Sequence, residues 1–210
     1  MAVTKNIAAV LLAAGRSQRM GAFKPLLPFG GVTVAESCVV ALREAGAVEV
    51  VVVVGHRNRE VRAALAHLPG VRFAFNEAEG SEMGVSVARG VEALSEEAEV
   101  VLVALVDHPA VPAAEIRKLI DERRRAGARL VVPEWRGRGG HPVLVDLAYR
   151  EELLSLVPEK GLRALFEAHR AEVLHLPAGS PYVTRDMDTR EDYLALHTEV
   201  FGAPPEENRQ

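Results

Sequence analysis

The chain of 210 residues has one cysteine, Cys38, so an internal disulfide and a thiolate zinc cage are both excluded. Cys38 sits in an apolar helical pattern and reads as a small buried core residue. No stretch approaches the ~20 apolar residues a membrane span needs. Ile7 to Ala14 after Lys5 superficially resembles a short signal peptide, but eight apolar residues running into Gly15 and Arg16 suit a buried strand entering a functional loop. These features predict a soluble cytoplasmic protein. With 25 lysines and arginines against 29 acids, a net charge of −4, bulk positive charge is missing too. A general nucleic-acid binder is not expected, and any bound anion must be held locally. No internal repeat is present. Also missing are the two common nucleotide-binding fingerprints. Gly15 and Gly21 have the wrong spacing for GxGxxG, and Lys24 is followed by Pro25 where a P-loop needs serine or threonine.

The periodicity that is present alternates strand with helix. Ile7–Ala14, Val48–Val54, Val71–Phe75 and Val100–Val106 are short apolar runs suited to strands covered on both faces. Val34–Ala45, Asn58–Leu68, Met83–Leu94 and Ala113–Arg125 place apolar residues at helical spacing, with Gly46 and Gly127 at helix ends. Parallel βαβ units follow. LVVPEW and HPVLVD, joined by RGRGG, predict a glycine-rich hairpin and hence a mixed sheet. Helices near Tyr149–Leu156 and Leu162–His169, a strand at Val173–Leu176 and a last helix from Arg190 to Val200 complete the pattern. The expectation is a single α/β domain, three-layer and Rossmann-like with a mostly parallel mixed sheet, over residues 1–201, and a disordered tail over 202–210.

Ligands of open α/β sheets collect beyond the carboxyl ends of the strands. There the sequence places GRSQRMGAFK, GHRN, NEAEG, DHP and DMD, so basic groups and acids converge on one edge. Glycines in the first loop admit close approach of backbone amides to phosphate, and Arg16, Arg19 and Lys24 supply charge for a triphosphate. Asp107, at the end of the apolar run VVLVALV, is costly to desolvate unless a cation meets it, and Mg2+ is the natural candidate. Asp188 with Glu191 also forms a capping-box pattern, so Asp186 and Asp188 both stand as candidate acids. The run Arg123 to Arg125 before Gly127 reads as a solvated helix end. His67, His169, His175 and His197 read as structural or solvated.

LAAGRSQRMGAFK, residues 12–24, closely resembles the signature LAAGxSxRMGxxK that opens the nucleotidyltransferases related to sugar-nucleotide pyrophosphorylases. LAAG, KPLLP and GRGGHPVL resemble the molybdenum-cofactor cytidylyltransferase group in particular. VDHP resembles the family's GDxP, with Val106 in place of glycine; DMDTREDY resembles DxDTxxDL; Asn76, Met83, Ser86 and Gly90 fit a further stretch in which Glu82 replaces glycine.

The resemblance implies nucleotide binding by Leu12, Ala13, Ala14, Gly15, Arg16, Ser17, Arg19, Lys24 and Ser86. It implies catalytic roles for Arg16, Lys24 and Asp107, a metal site of Asp107 and Asp188, and an acceptor contact at His141. The implied reaction moves CMP from CTP onto a phosphate-bearing small molecule such as molybdopterin, with a molybdoenzyme or its chaperone as a further partner. A sugar phosphate or other small phosphate is the alternative acceptor, and a non-catalytic nucleotide or cofactor carrier the alternative class.

Overall fold

The computed structural model describes residues 6–76 and 82–206, so Glu77 to Ser81 of the NEAEGSEMG stretch and the ends of the expected domain and tail lie outside the described residues. Strands β1 (Asn6–Ala13), β2 (Pro28–Phe29) and β3 (Val32–Thr33) precede helix α1 (Val34–Ala45). Then follow β4 (Glu49–Val54), α2 (Asn58–Leu65), β5 (Val71–Phe75), α3 (Met83–Glu92), β6 (Ala98–Leu105) and α4 (Ala113–Ala126). Strands β7 (Leu130–Trp135), β8 (Arg138–Gly139) and β9 (Val143–Asp146), helices α5 (Arg150–Leu154) and α6 (Leu162–Ala168), β10 (Val173–Pro177) and α7 (Arg190–Phe201) complete it. The predicted helix at 149–156 is shorter than its pattern suggested, because Leu147–Tyr149 forms a 3-10 turn leading into α5.

The main sheet runs in the order β10-β7-β9-β6-β1-β4-β5, with β8 paired to β7. Pairing is parallel between β1 and both β4 and β6, and between β4 and β5, while β9 runs antiparallel to β6 and β7. The α/β fold with a mostly parallel mixed sheet is therefore as expected. The GRG hairpin is more local than expected: Arg136 and Gly137, both at positive φ, turn β7 directly back into β8.

β1 shows why three layers form. Its side chains alternate, so Ile7, Ala9, Leu11 and Ala13 join one core with α1, α4 and α7, while Ala8, Val10 and Leu12 join the other with α3 and α5. A fully buried leucine such as Leu11 contributes about 2 kcal/mol. Cys38 is buried at the first core, its thiol over the Val106 carbonyl at 3.8 Å, and burial raises its pKa far above the usual thiol range.

Two local expectations are corrected. Arg123 is buried, 9% exposed, and ion-paired with Asp146 at the end of β9. It falls at helical spacing from Ile116, Leu119 and Ile120, on the face that α4 turns to the core. The cap of α7 is Thr189 with Asp192, a reciprocal capping box one residue later than Asp188 with Glu191. The Asp188 carboxylate is therefore not consumed by the helix end. Ala203, in the expected tail, is held through its carbonyl by His197 Nδ1 at 2.7 Å.

Candidate active site

Two loop crossings place the site. The loop after β1 turns through Ser17 at φ 55, a left-handed conformation uncommon outside glycine, and Ser17 Oγ accepts the backbone N–H of Lys24 at 3.0 Å. That bond ties the tip of the loop to the 3-10 turn Lys24–Leu26, whose prolyl residue follows Lys24 directly. Opposite, Val106 directly follows the end of β6 at Leu105; its N–H donates to the Leu12 carbonyl at 3.2 Å, and Asp107 comes next. Val106 has no positive φ, so valine fits where the resemblance leads one to expect glycine.

The segment carrying Asp188 is clamped to Asp107 by backbone: Met187 N–H donates to the Asp107 carbonyl at 3.0 Å, and the Met187 side chain is fully buried. The hairpin after β8 is locked to the same segment. His141 N–H donates to the Val183 carbonyl at 2.7 Å, and a Cβ at Gly140 would stand 2.2 Å from that oxygen, so only glycine permits the contact.

These constraints bring four predicted residues together, Lys24, Asp107, Asp188 and Arg19. Lys24, 9% exposed, puts Nζ 2.7 Å from Asp188 Oδ1 and 3.8 Å from Asp107 Oδ2. Arg19, on the exposed loop, reaches Asp188 Oδ2 at 2.8 Å. The hydrogen bond from Lys24, and then its charge and that of Arg19, hold the Asp188 carboxyl below its ordinary pKa of 3.8. Asp107 Oδ1 is buried without a hydrogen-bond partner among the described residues, and His108 Nε2 lies 3.8 Å away from it. Asp186 is exposed, and the buried Met187 separates it along the chain from Asp188.

Above this cluster lies a cavity of about 280 Å3 lined by Leu12, Ala14, Gly15, Ser17, Lys24, Ser86, Met83 and the 105–107 strand end. Six of the nine residues expected at the nucleotide are in that lining. Ala13 is not: strand alternation turns it into the opposite core. Arg16 stands exposed beside the cavity, outside its lining, as does Arg19. Ser86 is buried and its Oγ accepts from Asn76 Nδ2 at 2.8 Å, which orients it. Gly15 has no positive φ, and a Cβ built there would meet nothing within 4 Å, so the fold itself does not require glycine at this position.

His141 lines a second, larger cavity of about 970 Å3, which Lys160, Arg163, Arg170 and His175 also line. Met83 belongs to both cavities. No local pattern marks those basic residues, because none follows a strand end on the site's edge; His175, which reads as structural or solvated, is largely exposed. Burial, then the neighbouring His108, pushes the His141 pKa down to about 4 against an ordinary 6.5. Its Nδ1 faces the Val103 carbonyl at 3.4 Å, and a carbonyl can only accept, so Nδ1 carries the proton and Nε2 the lone pair.

A pH dependence follows. Since the folded pKa lies below the unfolded value, the unfolded chain binds the extra proton first. Stability contributed by neutral His141 is complete above pH 6.5 and is lost as pH falls from there towards 4, by about 3 kcal/mol. Urea unfolding of wild type and His141→Gln at pH 7 and pH 4 should show a smaller acid loss in the variant by roughly that amount; equal losses would remove His141 as the cause.

Among the described residues no group of three or more histidines, cysteines or acids is arranged to hold a metal ion, and no helix is long and apolar enough to cross a membrane. Two carboxylates with a buried unpartnered oxygen do fit a hard divalent cation that takes its remaining oxygens from phosphate.

Comparison with known proteins assigns the chain to a family. The MobA-like NTP transferase domain family matches residues 9–173. A protein of Paenarthrobacter nicotinovorans named nicotine blue oxidoreductase is 31% identical over 198 residues, covering 90% of this chain and 96% of that one. A probable molybdenum cofactor guanylyltransferase of Mycolicibacterium paratuberculosis is 30% identical over 203 residues, covering 93% and 98%. The crystal structure of Rv0371c from Mycobacterium tuberculosis H37Rv superposes with a TM-score of 0.80 at 30% identity, covering 91% of this chain and 97% of that chain. Its manganese complex superposes with a TM-score of 0.77 at 29% identity, covering 91% and 97%.

Proposed function

The chain belongs to the MobA-like NTP transferase family and is a nucleotidyltransferase, and on that premise we propose that it transfers CMP from CTP to the phosphate of a molybdopterin-like acceptor with release of pyrophosphate. The observation that carries the reading is Lys24 Nζ standing between Asp188 and Asp107 at the mouth of the cavity over Gly15.

Asp107 and Asp188 would hold a divalent cation, Mg2+ or Mn2+, which when bound neutralises phosphate oxygens and the charge that develops on the leaving group. The manganese complex of Rv0371c supports a divalent ion in this fold. Lys24, released from its ion pairs as a triphosphate enters, donates to phosphate oxygens in their place. Arg19 and Arg16 supply charge from the exposed loop, and the amides around Gly15 approach the phosphates closely. One oxygen of the acceptor phosphate forms a bond to Pα while the bond from Pα to the bridging oxygen of pyrophosphate breaks in line. A phosphate monoester with a second pKa near 6 is already largely ionised at neutral pH, so no side chain has to remove a proton. His141, neutral with its lone pair at Nε2, suits an N–H or O–H of the acceptor rather than the phosphate anion.

The base preference rests on the LAAG run. Ala14 lines the small cavity, and its methyl group takes room that a purine needs more than a pyrimidine does. The Mycolicibacterium relative, named a guanylyltransferase, supports GTP instead. Pyrophosphate release measured with Mg2+, each of the four triphosphates and a panel of phosphate acceptors decides the matter. Release with CTP and a molybdopterin acceptor supports the proposal. Release with GTP alone corrects the base, release with sugar phosphates alone corrects the acceptor, and tight nucleotide binding without release in any mixture leaves a carrier.

Gly15 offers a separate test. Gly15→Ala should leave the melting temperature within about 1 °C, since the added methyl meets no atom of the fold, yet raise KM for the triphosphate at least roughly tenfold. An unchanged KM would take the triphosphate away from this loop.

A further inference from the structure

The chemistry above leaves the cations of the larger cavity without a role. Arg163 is held by Glu167 at 2.7 Å, and His175 by Glu134 at 3.3 Å. Lys160 and Arg170, by contrast, have no carboxylate within ion-pair distance among the described residues, although both line the same cavity. Unneutralised cations at the rim of a low-dielectric hollow concentrate field within it and favour an anionic guest. One acid, Glu167, also lines the cavity and is the partner of Arg163, and much of the remaining wall is apolar, with Phe166 and Leu162 of α6 and Val143 of β9.

Lys160 is set on a fixed base. Its turn packs against the start of α3 so closely that a Cβ at Gly84 would lie 3.1 Å from the Pro158 carbonyl oxygen. The next residue, Gly161, takes a positive φ of 52, and a Cβ there would lie 3.9 Å from Met83 Cβ. Met83 is the residue shared with the triphosphate cavity. The two cavities therefore adjoin at Met83, and the larger one runs from there past His141 to Lys160 and Arg170.

We propose that the acceptor carries a second anionic group, distant from the phosphate that reacts, and that Lys160 and Arg170 bind it while a flat apolar body lies on Phe166. This specificity element rests on the transferase reading for its place in the reaction, but its binding can be measured without turnover.

The probes are 1-naphthyl phosphate and the same compound bearing a carboxylate on the far ring, titrated by calorimetry into wild type and into the double variant Lys160→Met, Arg170→Met. Both positions are exposed, so the fold should tolerate the change. Wild type should bind the carboxylated probe about tenfold more tightly, the variant less than about twofold, with CTP affinity unaltered. No preference in wild type, or a preference that survives in the variant, would overturn the proposal. Absence of pyrophosphate release despite this binding pattern would count against the transferase reading and leave the anion site standing.

Discussion

Asp107→Asn should lower metal-dependent turnover about 1,000-fold while leaving the protein as stable as wild type, or slightly more stable. The two halves of that result come from one atom. Asp107 Oδ1 is buried and accepts no hydrogen bond among the described residues, so in the absence of ligand the carboxylate carries a desolvation cost that Lys24, 3.8 Å from the other oxygen, only partly offsets. An amide of the same shape removes that charge. Stability is then expected to be unchanged or to rise by less than about 1 kcal/mol, as seen by thermal unfolding. Turnover is expected to fall because an amide oxygen is a far weaker ligand for a divalent cation facing a triphosphate. Loss of both stability and activity would make Asp107 a structural residue, and retention of activity would remove it from the metal site.

Lys24→Met is expected to act differently. Its ammonium separates two carboxylates, and without it Asp188 keeps Arg19 while Asp107 faces a like charge across the mouth of the cavity. The Asp188 pKa is held down chiefly by the Lys24 hydrogen bond, so that contribution to stability exists above the ordinary carboxylate pKa of 3.8 and fades as pH falls through the lower folded value. In the variant it is absent. A loss of about 1 to 3 kcal/mol at pH 7, discounted for the partial exposure of both acids, should therefore shrink towards zero below pH 4. Turnover at saturating triphosphate should drop roughly 100- to 1,000-fold. A further sign distinguishes the cause: with no ammonium competing for the two acids, millimolar Mg2+ without nucleotide should raise the variant's melting temperature by roughly 3 °C or more, and wild type's by less. Equal metal responses would mean that Lys24 and the ion do not share the acids.

Much of this arrangement is legible in local sequence, for a physical reason. A buried parallel strand must end at the edge where helices do not cover it, so the loops that begin after Ala13 and Leu105, with the polar residues they carry, start at one rim by the fold alone. Lys24, Asp107 and the DMD segment fall under that rule. What local pattern leaves open is competition between equivalent local solutions. Asp188 with Glu191 and Thr189 with Asp192 both fit a capping-box pattern; the structure uses the second, and Asp188 is paired instead with Lys24, 164 residues earlier in the chain. Arg123 shows the reverse case: its helical spacing from Ile116 and Ile120 marked a buried face, but a run of three arginines resembled a solvated end. The larger cavity leaves no local trace, because it exists where the turn before α6 meets the start of α3, two segments about 75 residues apart. Ala13, adjacent to two cavity residues, faces away from them through the period of the strand.

Crystals grown with Mn2+ and a non-hydrolysable CTP analogue, examined by anomalous scattering, probe the central arrangement most directly. The expected map has a single strong peak bonded to one oxygen each of Asp107 and Asp188 and to phosphate oxygens, with Lys24 Nζ moved off Asp188 onto the triphosphate. A peak elsewhere, or a triphosphate lying away from the Gly15 loop with Lys24 still paired to Asp188, would contradict it.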